Sequence, residues 1–249
     1  MGRPFQLAAT AAVLVLVSGA ARAQTVDDII AANIKSKGGL ARIKDTTTVR
    51  MSGSVVARDM NGRDLTGTMT MVAKRPNLMR RDATVNGQQI TNAFDGTSLW
   101  MAMGTMPAQE LPGTQAAYAR QDAEFDSVFV DYKEKGFLIE LIGKEKLDGA
   151  DVYHLKLARK GGPPRDYYLD SVTGLEKKIV VSVQSPDGSP VTSVTEFSDY
   201  RTVEGCLVPF VLKQRQNGTL ISTTTLDKIE FNVPVEDVYF KMPAKQLKP

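Results

Sequence analysis

The chain alternates between apolar and polar residues, with a period of two, through most of its length after Asp45. Tyr153, Leu155 and Leu157, for example, fall on one side of such a segment and the residues between them fall on the other. This period is typical of a half-buried β-strand. It predicts twelve strands: Val49–Arg58, Leu65–Lys74, Asn77–Val85, Gln88–Phe94, Ser98–Met103, Phe137–Ile142, Val152–Ala158, Asp166–Asp170, Glu176–Val183, Val191–Tyr200, Leu207–Gln216 and Leu220–Phe231.

Short turns separate most of these predicted strands. A polar residue followed by glycine favours a tight hairpin turn, and such pairs occur at Asn61-Gly62, Asn86-Gly87, Asp95-Gly96, Asp148-Gly149, Asp187-Gly188, Glu204-Gly205 and Asn217-Gly218. A parallel neighbour would need a crossover of about a dozen or more residues. The spacing therefore predicts an antiparallel meander.

Helical patterns are few. Thr25 is a candidate N-cap with Asp28 three residues later, as in a capping box, and the helix that follows ends at Gly38-Gly39. An extra turn is predicted at Leu40–Lys44, and a further helix at Gln115–Phe129. The first helix has one apolar stripe, typical of a helix that lies on an apolar surface, formed by Val26, Ile29, Ile30 and Ile34.

So few helices cannot cover a sheet with this many strands. An open twisted sheet seldom exceeds ~10 strands without curling or splitting. We expect a mainly β fold, in which a curved antiparallel sheet forms an unclosed half-barrel and two or three short helices cover its concave face. The uncovered part would leave a cavity for a ligand. A closed barrel filled by side chains, or a β-sandwich, fits the same strand count.

Methionine is concentrated in the first half of the predicted sheet. Eight of the ten methionines lie between Met51 and Met106. Methionine side chains are flexible and suit surfaces that accept varied apolar shapes, although they also serve as ordinary core residues. The candidates for lining a lipid pocket are Met51, Met69, Met71, Met79, Leu99, Trp100, Met101 and Met103.

The N-terminus has the features of a signal peptide. A short basic region with Arg3 precedes the apolar run Leu7–Val17, and Ala21-Arg22-Ala23 supplies small residues for cleavage after Ala23. Residues 1–23 are then removed and residues 24–249 form a single exported, periplasmic domain. Removal of Arg3 and Arg22 lowers the formal net charge from +3 to +1. A nearly neutral chain lacks the excess of positive charge that is typical of nucleic-acid-binding proteins.

The sequence offers little for catalysis or metal binding. His154 is the only histidine and Cys206 the only cysteine, whereas a zinc site needs several such ligands. The segment Met51-Ser52-Gly53-Ser54 is not a nucleophile elbow. We expect no enzymatic activity, no cofactor and no metal, with His154 on a strand face and Cys206 as a small buried hydrophobe.

Adjacent basic residues occur within two strands, at Arg80-Arg81 and Lys177-Lys178. In a strand, such neighbours point to opposite faces. We expect the inward-facing residue of each pair to lie at the rim of the sheet or to extend its charged end to water.

Four segments carry a family pattern. Residues 29–55 (IIAANIKSKGGLARIKDTTTVRMSGSV) combine a helix ending in Gly-Gly, a short helix and a strand with a small-residue kink. Residues 133–178 contain a Tyr-x-Leu strand and an Asp-x-x-Thr-Gly-Leu turn, and residues 197–210 and 231–243 supply C-terminal strands. Together these segments resemble the periplasmic outer-membrane lipoprotein-sorting (LolA-like) proteins.

The resemblance implies an unclosed antiparallel barrel whose mouth is plugged by helices and whose apolar interior holds acyl chains. It also implies a periplasmic, monomeric carrier of lipids or lipoproteins, with an inner-membrane transporter and an outer-membrane receptor as partners. The alternative is a periplasmic sensing or scaffold module of the same fold that regulates an envelope partner. A secreted hydrolase is a third hypothesis, opposed by the single histidine.

Overall fold

The computed structural model describes residues 24–59, 61–111, 123–184 and 188–244. The predicted signal peptide and its cleavage site lie outside these residues. Two α-helices, α1 (Val26–Ser36) and α2 (Leu40–Asp45), precede the strands, and a 3₁₀ helix spans Asp237–Phe240. The strands are β1 (Thr48–Arg58), β2 (Asp64–Lys74), β3 (Leu78–Val85), β4 (Gln88–Phe94), β5 (Leu99–Met103), β6 (Gln109–Glu110), β7 (Leu138–Leu147), β8 (Ala150–Ala158), β9 (Arg165–Asp170), β10 (Glu176–Gln184), β11 (Pro190–Val203), β12 (Cys206–Gln216) and β13 (Thr219–Phe231).

All thirteen strands form one antiparallel sheet in the order β6-β5-β4-β3-β2-β1-β13-β12-β11-β10-β9-β8-β7. The pairing of β1 with β13 joins two meanders, and β6 and β7 remain as the two edges. The predicted unclosed half-barrel is therefore confirmed, and the closed barrel and the sandwich are excluded. All twelve predicted strands are present; the two-residue strand β6 was not predicted because it is too short to show a period.

A bulge bends the sheet at its central strands. The register of β1 against β13 shifts between Ser52 and Gly53. A Cβ atom added to Gly53 would lie 2.1 Å from the carbonyl oxygen of Thr225, so only glycine fits there. Bulges of this kind increase local twist and bend a strand, which accounts for the predicted small-residue kink.

Helix α1 lies on the second meander, as its apolar stripe predicts. The Thr25 hydroxyl accepts a hydrogen bond from the Asp28 N–H at 3.2 Å, and the Asp28 carboxylate accepts one from the Thr25 N–H at 3.0 Å. This reciprocal capping box confirms the predicted start of the helix. Ile29 and Ile30 are buried in one cluster with the strand and loop residues Phe129, Leu155, Leu157, Tyr167 and Leu169.

Helix α2 lies on the same face of the sheet. Ile43 of α2 shares a cleft with Val49 and Met51 of β1, and the Arg42 guanidinium lies 5.6 Å from the centroid of the Phe231 ring. We call the face that carries α1 and α2 the inner face, and the opposite one the outer face. The inner face is the one that the helices leave partly uncovered.

The turn between β9 and β10 fixes α1 to the sheet. Asn33 donates a hydrogen bond to the Gly174 carbonyl at 2.8 Å, and Ser36 donates one to the Thr173 carbonyl at 2.5 Å. Asp170 closes the turn by accepting from the N–H groups of Val172 and Thr173 at 3.1 and 2.9 Å. Partial burial raises the pKa of Asp170, but these hydrogen bonds outweigh it and hold the pKa below its usual range. The Asp-x-x-Thr-Gly-Leu pattern is thus the docking site of α1.

The C-terminal segment packs on the outer face. Phe240 is fully buried, and the Trp100 indole N–H donates to its carbonyl oxygen at 2.8 Å. Val238, two residues earlier, does not pack against the sheet and is 71% exposed. A four-residue 3₁₀ helix buries only one side.

The helix predicted at Gln115–Phe129 falls mostly outside the described residues. Its described part, Ala123–Phe129, consists of turns and bends rather than helix. Phe129 nevertheless is buried against α1 and makes an edge-to-face contact with Tyr167 at 5.1 Å between ring centroids. The burial of Phe129 therefore does not depend on a helix at this position.

Replacing Gly174 with alanine tests how α1 is attached. A Cβ atom there would lie 2.8 Å from the backbone nitrogen of Asn33, at a positive φ of 72°. Gly149→Ala is the matched control, because Gly149 has a φ of 82° and nothing within 4 Å of an added Cβ. Both variants bear the left-handed backbone cost of about 1–2 kcal/mol. Gly174→Ala should lose a further ~1–3 kcal/mol to steric overlap with α1, measured by urea unfolding. Equal losses in the two variants would contradict this docking.

Candidate functional site

Strand pairing places most of the candidate pocket residues in adjacent rows on the inner face. Directly paired residues share a face in an antiparallel sheet. We call this surface of β1 to β5 the methionine face. Its three rows are Val49, Ala73, Met79, Phe94 and Leu99; Met51, Met71, Arg81, Asn92 and Met101; and Gly53, Met69, Ala83, Ile90 and Met103.

Seven of the eight candidates lie together here: Met51, Met69, Met71, Met79, Leu99, Met101 and Met103. Trp100 does not, because it points to the outer face and is buried under Phe240. The alternation within β5 separates Trp100 from Leu99 and Met101. Of the seven, Met69 is buried and the other six are partly exposed.

A cleft of about 260 Å³ adjoins the methionine face. It lies between α2, the segment Phe125–Ser127 and strands β1, β12 and β13, and it includes Val49 and Met51 of the methionine face. This volume is near the lower end of the ~300–1,000 Å³ typical of ligand pockets. The remaining apolar lining comes from Ile43, Phe125, Cys206, Leu207, Val208, Pro209 and Phe231.

A second cavity of about 300 Å³ shares Lys37, Asp126, Ser127 and Pro209 with this cleft. Its lining is more polar. Lys37 forms an ion pair with the buried Glu176 at 2.5 Å. The Tyr200 hydroxyl donates to the Glu176 carbonyl oxygen at 2.7 Å, and burial, with the Glu176 charge nearby, raises the pKa of Tyr200 well above its usual value. These groups satisfy one another, so the apolar cleft is the better candidate for a ligand.

Arg75 ties the wall of the cleft to the sheet. Its guanidinium donates to the Ile43 and Thr46 carbonyl oxygens at the end of α2, at 2.7 and 2.6 Å. It also forms a bidentate ion pair with Asp126, at 2.5 and 2.6 Å, and lies 4.8 Å from the centroid of the Phe125 ring. A helix C-terminus presents free carbonyls that favour a cation. One side chain therefore contacts two walls of the cleft, the end of α2 and the segment Phe125–Ser127.

Arg81 is the one charged side chain on the methionine face. It lies in the middle row and the middle strand of β1–β5, so it is not at the rim, which was one of the two expected positions. Its side chain is partly exposed. Its Nε is buried without a hydrogen-bond partner, and burial lowers the pKa of Arg81. The pattern Arg80-Arg81 predicts one inward-facing arginine, but strand periodicity carries no information on its partners.

The two reactive candidates have other roles. His154 Nδ1 lies 3.1 Å from Glu145 Oε1 and His154 Nε2 lies 2.8 Å from Asp166 Oδ1, so both ring nitrogens are occupied by carboxylates. Cys206 is buried in the cleft, as predicted. Within the described residues, no group of three His, Cys, Asp or Glu side chains is placed to hold a metal ion.

Three solved structures have the same arrangement of sheet and helices. A LolA superfamily protein from Nitrosomonas europaea aligns with a TM-score of 0.60 at 14% identity, over 88% of this chain and 98% of its own. The chain has a LolA-like fold. A domain described as a candidate outer membrane lipoprotein-sorting protein, from Vibrio parahaemolyticus, aligns with a TM-score of 0.57 at 10% identity, over 80% of this chain and 92% of its own. A DUF1329 family protein from Desulfovibrio piger aligns with a TM-score of 0.58 at 13% identity, over 86% of this chain and 95% of its own.

At these identities the likeness concerns the LolA-like fold and not the activity. No protein-family model matches the sequence, and no curated protein matches it either. Among the described residues, no helix has the length and apolar character needed to cross a membrane. The function of this LolA-like chain must therefore be argued from its own inner face.

Arg75→Met tests whether this arginine closes the cleft. The change removes four hydrogen bonds to Ile43, Thr46 and Asp126, and should lower the free energy of unfolding by about 2–4 kcal/mol. It should also increase uptake of a neutral hydrophobic dye, because α2 and Phe125 lose their common anchor. Arg58→Met is the control, since the Arg58–Asp64 pair is exposed and should contribute less than ~1 kcal/mol. Unchanged dye uptake in a destabilised Arg75→Met protein would contradict the role.

Proposed function

We propose that this protein is a periplasmic carrier that shelters acyl chains of a lipid or lipoprotein against the methionine face and in the adjoining cleft. One observation carries the proposal. Seven partly or fully buried apolar side chains, six of them methionines, lie side by side on the inner face. They lie next to an apolar cleft whose wall is held by Arg75.

The energetics favour a chain-like apolar ligand. Burying one methylene group is worth ~0.8 kcal/mol, so an acyl chain of a dozen or more carbons supplies enough free energy to be held out of water. Methionine suits this task because its flexible side chain adapts to chains of different shape. The outer face of the same strands offers no comparable surface, because Trp100 on that face is already buried under Phe240.

A carrier must also release its ligand, and breaking the Arg75 contacts would provide a way to open the cleft. Arg75 joins α2 to Phe125–Ser127 by four hydrogen bonds. The other polar contacts of this wall are the Arg42–Glu204 and Lys44–Asp131 ion pairs and the bonds from Lys135 to the Asp126 and Ser127 carbonyls. Short helices such as α2, with six residues, depend on tertiary contacts for their stability. Movement of this wall would open the cleft without disturbing the sheet.

The cellular setting is part of the proposal. The signal-peptide pattern of residues 1–23 supports export and cleavage after Ala23, and the LolA-like fold supports a place between two membranes. An inner-membrane transporter would then load the monomeric carrier and an outer-membrane receptor would unload it. The proposal includes no enzymatic activity; the only histidine of the sequence, His154, lies between the Glu145 and Asp166 carboxylates.

Two measurements test the carrier function. Native mass spectrometry of the protein purified from the periplasm should reveal co-purifying molecules with acyl-chain masses. The delipidated protein should bind N-phenyl-1-naphthylamine, a neutral hydrophobic dye, and release it when a long-chain amphiphile is added. Met51→Asp should weaken dye binding at least tenfold by placing a charge on the methionine face and in the cleft, whereas Ser54→Asp, on the outer face of the same strand, should not.

The opposite result supports the alternative function. A protein that is empty as purified, takes up no dye and instead captures one membrane partner would be a sensing or scaffold module. In that case the methionine face would be a filled core.

A further inference from the structure

The inner face of β1–β5 has an unusual distribution of charge. On this face of the five strands, all of which are described, the pairing registers place no acidic residue and a single charged one, Arg81. Its neighbours along β3 are Met79 and Ala83, and its neighbours across the sheet are Met71 and Asn92. A guanidinium therefore lies in the centre of an apolar surface.

Arg81 is partly buried and has no hydrogen-bond or ion-pair partner among the described residues. Its Nε is buried without a hydrogen bond, and Arg81 forms no ion pair with any described residue. Burial of an unpaired charge costs several kcal/mol in general. Desolvation is also the cause that lowers the pKa of Arg81.

The neighbouring Arg80, in the same strand, has the hydrogen-bond and ion-pair partners that Arg81 lacks. Arg80, on the outer face, forms an ion pair with Asp82 at 2.9 Å and donates to the Tyr239 carbonyl at 2.8 Å. It also lies 4.6 Å from the centroid of the Tyr239 ring. The absence of partners is therefore specific to Arg81 and not a property of β3.

A second donor lies beside Arg81. Asn92 is its direct partner in the adjacent strand β4 and faces the same way. No hydrogen bond joins the Asn92 side chain to another described residue, whereas Thr91, its neighbour on the outer face, donates to Asp82 at 2.7 Å. A guanidinium and a carboxamide, both without protein partners, thus face the same point of the apolar surface.

We propose that Arg81 and Asn92 bind the carboxylate of a single-chain acidic amphiphile, a free fatty acid or a close analogue, whose chain lies along the methionine face. The inference rests on the proposed carrier function and names the class of its ligand. The guanidinium gives the carboxylate two parallel charge-assisted hydrogen bonds, and the Asn92 amide supplies a third.

The charge balance favours a head group with one negative charge over a zwitterionic head group or a phosphate monoester. One guanidinium neutralises one negative charge, so a carboxylate leaves nothing unpaired. A zwitterionic head group would bring an ammonium to a face without acidic residues, and a phosphate dianion would keep an unpaired negative charge. Each of these would cost the desolvation of a charge without a partner.

The test compares ligands that differ only in the head group. Dodecanoate and dodecanol compete with N-phenyl-1-naphthylamine for the delipidated protein, and 1-lauroyl-lysophosphatidylethanolamine serves as the zwitterionic ligand. Wild-type protein should bind dodecanoate at least tenfold more tightly than dodecanol or the lysolipid. Arg81→Met should lose about 10–100-fold of the dodecanoate affinity and keep that for dodecanol, while Arg81→Lys should retain part of the preference.

Two controls keep the result interpretable. Arg80→Met removes the adjacent charge from the outer face and should leave the preference for dodecanoate unchanged. Arg81→Met should fold with an equal or higher Tm, because it removes an unpaired charge from an apolar surface.

Equal binding of acid and alcohol by the wild type, or an undiminished preference in Arg81→Met, would overturn the inference while leaving the carrier function in place. Tighter binding of the lysolipid than of dodecanoate would also overturn it. If none of the three ligands displaces the dye and none binds by calorimetry, the carrier function fails and the inference fails with it.

Discussion

The pairing of β1 with β13 is the constraint on which the rest of the structure depends. It joins an N-terminal meander and a C-terminal meander into one sheet of thirteen strands without joining the two edges. Such a sheet must curve, because right-handed twist accumulates from strand to strand. The curved sheet has one apolar inner face, and the described helices, α1 and α2, have only seventeen residues in Val26–Ser36 and Leu40–Asp45 with which to cover it.

The two helices are placed unevenly. Helix α1 covers β8 and β9, and α2 lies near β1, β12 and β13. The inner face of β2 and β3 instead contributes to a second apolar cluster, in which Met69, Met71 and Ala83 pack with Phe210, Leu226 and Ile229. The same region contains three arginines in different settings: Arg75 is bound to carbonyls and Asp126, Arg80 is paired with Asp82, and Arg81 has no partner. Two of these arginines make ion pairs within the protein, and the third is the one that we propose contacts the ligand.

Local patterns predicted the fold well. Alternation and turn residues predicted twelve strands, and Thr25 with Asp28 predicted the start of α1, because each depends on residues close in sequence. The excess of strands over helices predicted a curved sheet with a partly uncovered face, although a closed barrel or a sandwich fitted the same strand count. The pairing of β1 with β13 could not be derived in this way, because strands so far apart in sequence have no turn to set their register.

The candidate site was predicted in part. Seven candidates share one face because strand periodicity separates even from odd positions, and Trp100 falls on the other face for the same reason. The cleft, the Arg75 contacts with Ile43 and Thr46, and the isolation of Arg81 depend on tertiary packing. No sequence pattern encodes whether a charged side chain finds a partner. Conversely, the helix predicted at Gln115–Phe129 is absent from its described part, Ala123–Phe129, which forms turns and bends.

Methionine-methyl NMR with an added fatty acid tests the central claim most directly. The account predicts large shifts for the methyl groups of the inner-face methionines Met51, Met69, Met71, Met79, Met101 and Met103. Met106 and Met242, which are 51% and 36% exposed, should remain unshifted and serve as internal controls. Shifts confined to those two exposed methionines, or no shifts at saturating fatty acid, would contradict the account.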